Sequence, residues 1–187
     1  MRLHALVDDL DTARAAIDGG ATVIQLRLKD LPTERVVEEG RPFRELCWAH
    51  SVTFVVDDDV DAALELDADG VHLGRHDSGA ALALKHGLLV GFTAANVDDA
   101  VSAERAEAAY VGAGPVWTTP SKPDAAPSIG LDGLRAICAA VSIPVVAIGG
   151  VDAETAPDCI RAGARGVAVV RGARDAAAIR AAVDAAL

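Results

Sequence analysis

The sequence predicts an α/β protein, a compact (β/α)8 barrel in a single domain over residues 1–187. Two observations carry that expectation. Short apolar runs bounded by Gly, Asp or Pro alternate strictly with stretches of helical period, and the alternation repeats eight times. An even number of such units favours closure into a barrel. An open doubly wound sheet would want a Gly-rich nucleotide fingerprint after the first strand, where Val7-Asp8-Asp9-Leu10 stands instead. The 187 residues leave about 23 per unit, against roughly 250 for a typical whole barrel, so the loops must be tight.

A first strand is expected at residues 3–7 and a helix at 11–18, ending at Gly19-Gly20. The second strand, residues 22–29, has a period of two. Thr22, Ile24, Leu26 and Leu28 share one face, and Val23, Gln25, Arg27 and Lys29 the other. Parallel strands of this class are covered on both faces. A polar, cationic column in such a place is costly unless something negative meets it, which points to a ligand. Pro32 opens a longer helix to residue 50, interrupted or bent near Gly40-Arg41-Pro42. Strands at 53–57, 70–73 and 88–93 follow, with helices at 61–66, 78–86 and 97–107. A sixth strand at 109–113 leads into residues 114–131, rich in Pro, Thr and Ser and without clear period, before a helix at 132–141. Strands at 144–148 and 166–170, with helices at 153–162 and 173–186, complete the count.

Aromatic residues make up 3% of the chain against 51% hydrophobic in all, so the core must be built from Ala, Val, Leu and Ile. A formal charge of −11 argues against nucleic acid or an anionic membrane as partner. An anionic substrate would therefore need a local cluster of cations or a metal. Cys47, Cys138 and Cys159 are odd in number, widely spaced and without a CxxC pair, which suits small buried hydrophobes in a reducing compartment. A strand begins almost at Met1, so no signal peptide is expected. The longest uncharged run, residues 136–151, is broken by Pro144 and Gly149-Gly150 and is shorter than the ~20 residues a membrane span needs. The expectation is a cytoplasmic protein.

Barrel chemistry collects where strands end. The second strand ends with Arg27 and Lys29, the third with Asp57-Asp58-Asp59, and the fifth with Thr93. Arg75-His76-Asp77 follow the fourth, and Thr119, Ser121 and Lys122 lie in the long loop after the sixth. Gly149-Gly150 and Arg171-Gly172 close the last two strands. Two of the chain's three lysines thus fall in one layer with an acidic cluster. Carboxylates beside cations fit Mg²⁺ held by one or two Asp together with substrate phosphates. The plainer account of Asp57-Asp58-Asp59 is a helix N-terminus, where acids favour the dipole. Gly150 and Gly172, each before a helix, would let backbone N–H groups approach a phosphate, or would simply make tight turns.

These motifs resemble the thiamine phosphate synthase/TenI-like family across nearly the whole chain. Gln25-Leu26-Arg27-Leu28-Lys29 is similar to its Gln-Leu-Arg-x-Lys signature, and Ala68-Asp69-Gly70-Val71-His72-Leu73-Gly74 with Asp77 to its central strand and metal loop. The segment from Gly114 to Lys122 resembles its Gly-Pro-x-Phe-x-Thr-x-Thr-Lys loop. Residues 144–151 and 166–170 resemble its two phosphate-cup strands. The resemblance implies joining hydroxymethylpyrimidine diphosphate to thiazole phosphate, with pyrophosphate leaving first and the thiazole nitrogen capturing the carbocation. By it Asp58 and Asp77 hold Mg²⁺, and Arg27, Lys29 and Lys122 meet the diphosphate. Gln25 and Thr93 help to position the diphosphate with the pyrimidine. Thr119 and Ser121, with backbone at Gly150, Val170 and Arg171, hold the thiazole phosphate. The partners so implied are these phosphorylated small molecules, with a homodimer left open.

The chain departs from the family pattern at several positions. Asp57 replaces an Asn, which places an extra negative charge near the diphosphate unless it helps to bind metal or is protonated. Arg75 stands for Gln, Thr93 for Ser, Ala95 for His and Arg171 for Ser, and the segment that commonly precedes the first strand is missing. A TenI-like thiazole tautomerase would need a proton-moving group where Ala95 stands. A non-catalytic paralogue that binds thiazole or thiamine phosphates is the second alternative, favoured by Asp57 and Arg171. A phosphosugar isomerase would leave the grouping of Asp58, Asp77 and Lys122 unexplained. His4, His50 and His86 read as surface or helix-end residues, and His72 as a structural hydrogen-bonding group. Trp48 reads as helix packing, and Trp117 as either a wall of the site or a loop anchor.

Overall fold

The computed structural model describes residues 1–74, 77–119 and 127–187. Among these residues, eight parallel strands close into a barrel in sequence order, with β8 pairing back onto β1. The strands are β1 (Leu3–Val7), β2 (Val23–Leu26), β3 (Thr53–Asp57), β4 (Gly70–Leu73), β5 (Leu89–Ala94), β6 (Tyr110–Ala113), β7 (Val145–Ile148) and β8 (Gly166–Val169). The intervening helices are α1 (Leu10–Asp18), α2 (Thr33–His50), α3 (Val60–Glu65), α4 (Ala80–Lys85), α5 (Val97–Arg105), α6 (Gly130–Ala140), α7 (Ala156–Arg161) and α8 (Ala176–Ala185). The barrel expected from the sequence is the one observed.

Period-two alternation divides the core in two. Between strands and helices lies the larger cluster, rich in Ala, Val, Leu and Ile, with Cys47 and Cys159 buried in it as expected. Leu6, Tyr110, Val146 and Ala168 form a smaller cluster inside the barrel. The register Asp57↔His72, His72↔Gly91 and Gly91↔Tyr110 sets polar and aromatic side chains beside glycines across β3 to β6.

Several boundaries differ from expectation, each for a local reason. β2 stops at Leu26 rather than at 29. Arg27 N–H still reaches Val7 O at 2.8 Å, but Asp30 has φ 60, and the chain has turned away from the sheet. α2 runs unbroken through Pro42. Pro42 lies on the exposed side, where water can satisfy the carbonyl that loses its donor. α7 begins three residues late because Asp152 Oδ1 accepts from the N–H groups of Glu154 and Thr155, an alternative to helical bonding. A 3-10 turn over Arg171–Asp175 precedes α8 and buries Ala173 beneath it.

Trp48 is not packed: it is 75% exposed, with the Arg44 guanidinium 5.2 Å from its ring centroid. Trp117 is a loop anchor, packed against the outer core with its N–H on Gly149 O at 3.0 Å. No helix among the described residues is long and apolar enough to cross a membrane.

Candidate active site

A cavity of about 680 Å³ opens where the strands end and reaches down into the barrel. The alternation in the second strand survives its early end: Gln25, Arg27 and Lys29 all line this cavity. Across from them stand Asp57 and Asp58 from the end of β3. Lys29 Nζ lies 2.9 Å from Asp57 Oδ2 and also bonds Asp58, while Arg27 Nε lies 3.6 Å from Asp57. Gln25 donates its amide to the other Asp57 oxygen. The extra charge at Asp57 is thus met by two cations and an amide. Burial works against the charge on Lys29, but Asp58 and Asp57 outweigh it and raise its pKa.

The acidic trio divides its labour. Asp59 is the structural one, capping α3 through Ala62 N–H at 2.9 Å and accepting from the Thr33 hydroxyl at 2.8 Å. Asp58 sits at φ 65, a left-handed conformation that Asp tolerates better than most residues. His72 O fixes it there by accepting its N–H at 2.8 Å, and this aims the carboxylate into the cavity. Asp77 faces it from the loop after β4, anchored by Gly74 N–H at 2.5 Å.

Asp58 and Asp77 share a hydrogen bond. Burial tends to raise Asp58, yet Lys29 and the bond from Asp77 hold it below the usual carboxylate range. Burial, with the bond and charge of Asp58, raises Asp77 against the pull of Gly74 N–H and Lys29. Two facing carboxylates, one held down and the other pushed up by their surroundings, are a donor set suited to a hard cation. No group of three His, Cys, Asp or Glu able to hold a metal occurs among the described residues. Two carboxylates with the remaining positions left to water and phosphate fit magnesium.

The lower wall is a hydrogen-bonded string. His72 bonds Tyr110 Oη through Nδ1 at 3.0 Å and Thr93 Oγ1 through Nε2 at 3.1 Å. Burial, then the charge of Asp57, keeps the Tyr110 proton in place, so its hydroxyl can donate to or accept from His72, and the tautomer of His72 sets the direction of both bonds. The structural role expected of His72 is the one it has.

His4 corrects the surface expectation. It is 2% exposed, inside the barrel and at the bottom of the cavity. Only the pairing of a lone His with Leu6 on one strand face could have signalled this. Burial, then repulsion from His72, lowers the His4 pKa from 6.5 to about 3. Below pH 6.5 the histidine of an unfolded chain takes up a proton that folded His4 refuses until about pH 3. Falling pH therefore favours unfolding across that window, by up to about 1.4 kcal/mol per pH unit for one proton. Denaturant titrations of wild type and His4→Phe between pH 7 and 4 should show this slope reduced in the variant.

On the far side, Gly149 and Gly150 have φ 94 and 70, and Cβ atoms there would come within 2.5 Å of Pro115 and 2.8 Å of Trp117. Only glycine permits the loop after β6 to lie so close to the end of β7. Thr119, Gly150, Val170 and Arg171 line the cavity here, together with Ala95 from the end of β5. Ser121, Lys122 and Arg75 lie outside the described residues.

Comparison with known proteins decides the family. The family model described as thiamine monophosphate synthase matches residues 4–173. The chain belongs to that family. It is 51% identical to the thiamine-phosphate synthase of Chloroflexus aurantiacus over 158 residues, covering 83% of this chain and 73% of the relative. With the Pyrococcus furiosus thiamine-phosphate synthase it shares 40% over 177 residues, 91% of this chain and 85% of that one. A solved thiamine phosphate pyrophosphorylase from Pyrococcus furiosus superposes with a TM-score of 0.90 at 36% identity, covering 100% of this chain and 96% of the other. Within this family frame, the Arg27–Lys29–Asp57–Asp58 cluster faces Asp77 across a single cavity.

Proposed function

We propose that the protein is a thiamine phosphate synthase, joining hydroxymethylpyrimidine diphosphate to thiazole phosphate with release of pyrophosphate, in the cytoplasm. The observation that carries this reading is the convergence of Arg27, Lys29, Asp58 and Asp77 on one cavity in a chain of this family. Departure of pyrophosphate concentrates negative charge on the leaving oxygens, and pre-arranged cations stabilise charge that develops there. Arg27 and Lys29, held in place by Asp57, are those cations. Asp58 and Asp77 would hold Mg²⁺, which when bound supplies Lewis-acid neutralisation of the diphosphate. Thr93, hydrogen-bonded to His72, is held in the cavity wall where its hydroxyl can meet substrate. Thr119, with backbone groups near Gly150, Val170 and Arg171, takes the thiazole phosphate. Ser121 and Lys122 join this assignment through the family motif alone.

Attack by the thiazole nitrogen needs no general base, whereas a tautomerase must move a proton. Position 95 faces the cavity and is Ala, with nothing to move a proton, which favours synthesis over tautomerisation. The decisive assay is thiamine phosphate formation from the two phosphorylated precursors, with Mg²⁺ and with a chelator. The expected result is product that appears with Mg²⁺, is lost with chelator and returns on adding metal. Tight binding of thiazole phosphate without product would instead identify a non-catalytic binding protein.

A further inference from the structure

Tyr110 is 1% exposed, and among the described residues its hydroxyl has a single hydrogen-bond partner, His72 Nδ1 at 3.0 Å. The other nitrogen of that ring, Nε2, lies 3.1 Å from Thr93 Oγ1 in the cavity wall. Strand pairing sets these three side chains in a row. His72 stands beside Gly91 and Gly91 beside Tyr110, while Thr93 stands beside Gly112. A Cβ at Gly91 would fall on the Tyr110 ring, and one at Gly112 would come within 3.2 Å of His72 Cε1. The two glycines thus leave seats in the barrel wall for the two rings.

Counting protons gives the row its direction. A neutral imidazole carries one proton, on either nitrogen. If Nδ1 carries it, Nδ1 donates to Tyr110 and Thr93 donates to Nε2. The Tyr110 proton then has no acceptor among the described residues, in a side chain closed to water. A buried donor without an acceptor is costly, and a doubly protonated ring leaves the same orphan. If Nε2 carries the proton, Tyr110 donates to Nδ1 and Nε2 donates to Thr93. The proton left over is that of Thr93, at the cavity, where a ligand can take it.

Resting on the function proposed above, we infer that Tyr110 is a positioning residue which, through His72, holds the Thr93 hydroxyl as a hydrogen-bond donor to the pyrimidine diphosphate. Tyr110 keeps the imidazole proton on Nε2, that proton makes the Thr93 oxygen an acceptor, and Thr93 turns its own proton to the substrate. An acceptor on the ligand, a ring nitrogen or a diphosphate oxygen, meets it. A donor aimed in advance needs no reorganisation when charge moves towards the leaving group.

The test begins with wild-type protein labelled with ¹⁵N-histidine, whose ring spectrum tells the two tautomers and the doubly protonated form apart. The His72 signals are those lost in His72→Gln. The expected result is a proton on Nε2 and none on Nδ1. Pyrimidine diphosphate, added without thiazole phosphate and with binding followed by calorimetry, should move the Nε2–H resonance. Movement with pyrophosphate as well places the acceptor on the diphosphate, and movement with the whole molecule alone places it on the ring. Tyr110→Phe keeps a ring over Gly91 and removes the hydroxyl, so both tautomers should appear. It should lower kcat/KM for pyrimidine diphosphate about tenfold, with the KM for thiazole phosphate within about twofold of wild type. Thr93→Val should lose a similar factor, and Tyr110→Phe should add little to it, because the two act as one unit. A proton on Nδ1 or on both nitrogens of the wild type, an unmoved resonance despite binding, or additive losses would each overturn this inference and leave the synthase reading intact. Wild-type protein that neither binds nor converts pyrimidine diphosphate overturns both. If Tyr110→Phe does not fold, the wild-type spectra decide alone.

Discussion

Asp77→Ala is expected to reduce thiamine phosphate formation by at least about a hundredfold at saturating substrates. The reason lies in how few protein oxygens face the position proposed for the diphosphate. Asp59 is committed to the start of α3, and both oxygens of Asp57 are engaged by Gln25, Arg27 and Lys29. On the proposed function, Asp58 and Asp77 are the carboxylates left to hold the cation. Removing Asp77 halves that donor set and leaves Asp58 with Lys29 as its ion-pair partner among the described residues. The residual activity of Asp77→Ala should need a higher Mg²⁺ concentration, whereas a merely structural defect would lower the rate at every concentration. Its thermal midpoint should stay near that of wild type, because Asp77 is exposed and anchored only locally. His86→Ala, at an exposed helix end, serves as control and should keep full activity. Wild-type turnover by Asp77→Ala across a Mg²⁺ titration would remove Asp77 from the metal site.

The barrel was legible in the sequence because buried parallel strands and amphipathic helices leave different periods. The cationic column in the second strand was legible for the same reason, and its facing survived even though the strand ended at Leu26. What pattern could not carry was competition at short range. Asp152 looks like any helix-start acid, but its side chain captures two N–H groups and delays α7. Asp57, Asp58 and Asp59 are chemically identical, and backbone geometry alone separates a cation partner, a metal candidate and a helix cap. Asp57 reads as an unbalanced charge until Gln25, Arg27 and Lys29 are seen around it. His4 was the largest omission. A single His in a five-residue apolar strand carries no periodic signal of its own, and its meaning comes from Gln25 and Tyr110, far away in sequence.

Gly91→Ala should be strongly destabilising. A Cβ at that position would lie 2.2 Å from Tyr110 Cζ and 2.5 Å from its hydroxyl. The ring cannot swing aside freely. It is 1% exposed, lies 5.6 Å from the rings of both His4 and His72, and is tied to His72 by a 3.0 Å hydrogen bond. Overpacking of this kind costs about 3 kcal/mol, which corresponds to a fall in Tm of roughly 10 °C for a chain of this size. The consequence should reach the chemistry, since displacing Tyr110 breaks its bond to His72, the residue that holds Thr93. Thermal unfolding of the Gly91→Ala, Tyr110→Leu double variant separates this clash from any general weakening of β5. If the methyl and the ring collide, the double variant should be clearly more stable than the sum of the two single losses allows. Strict additivity would mean that the damage lies in the strand itself, and that Tyr110 is not what demands a glycine at position 91.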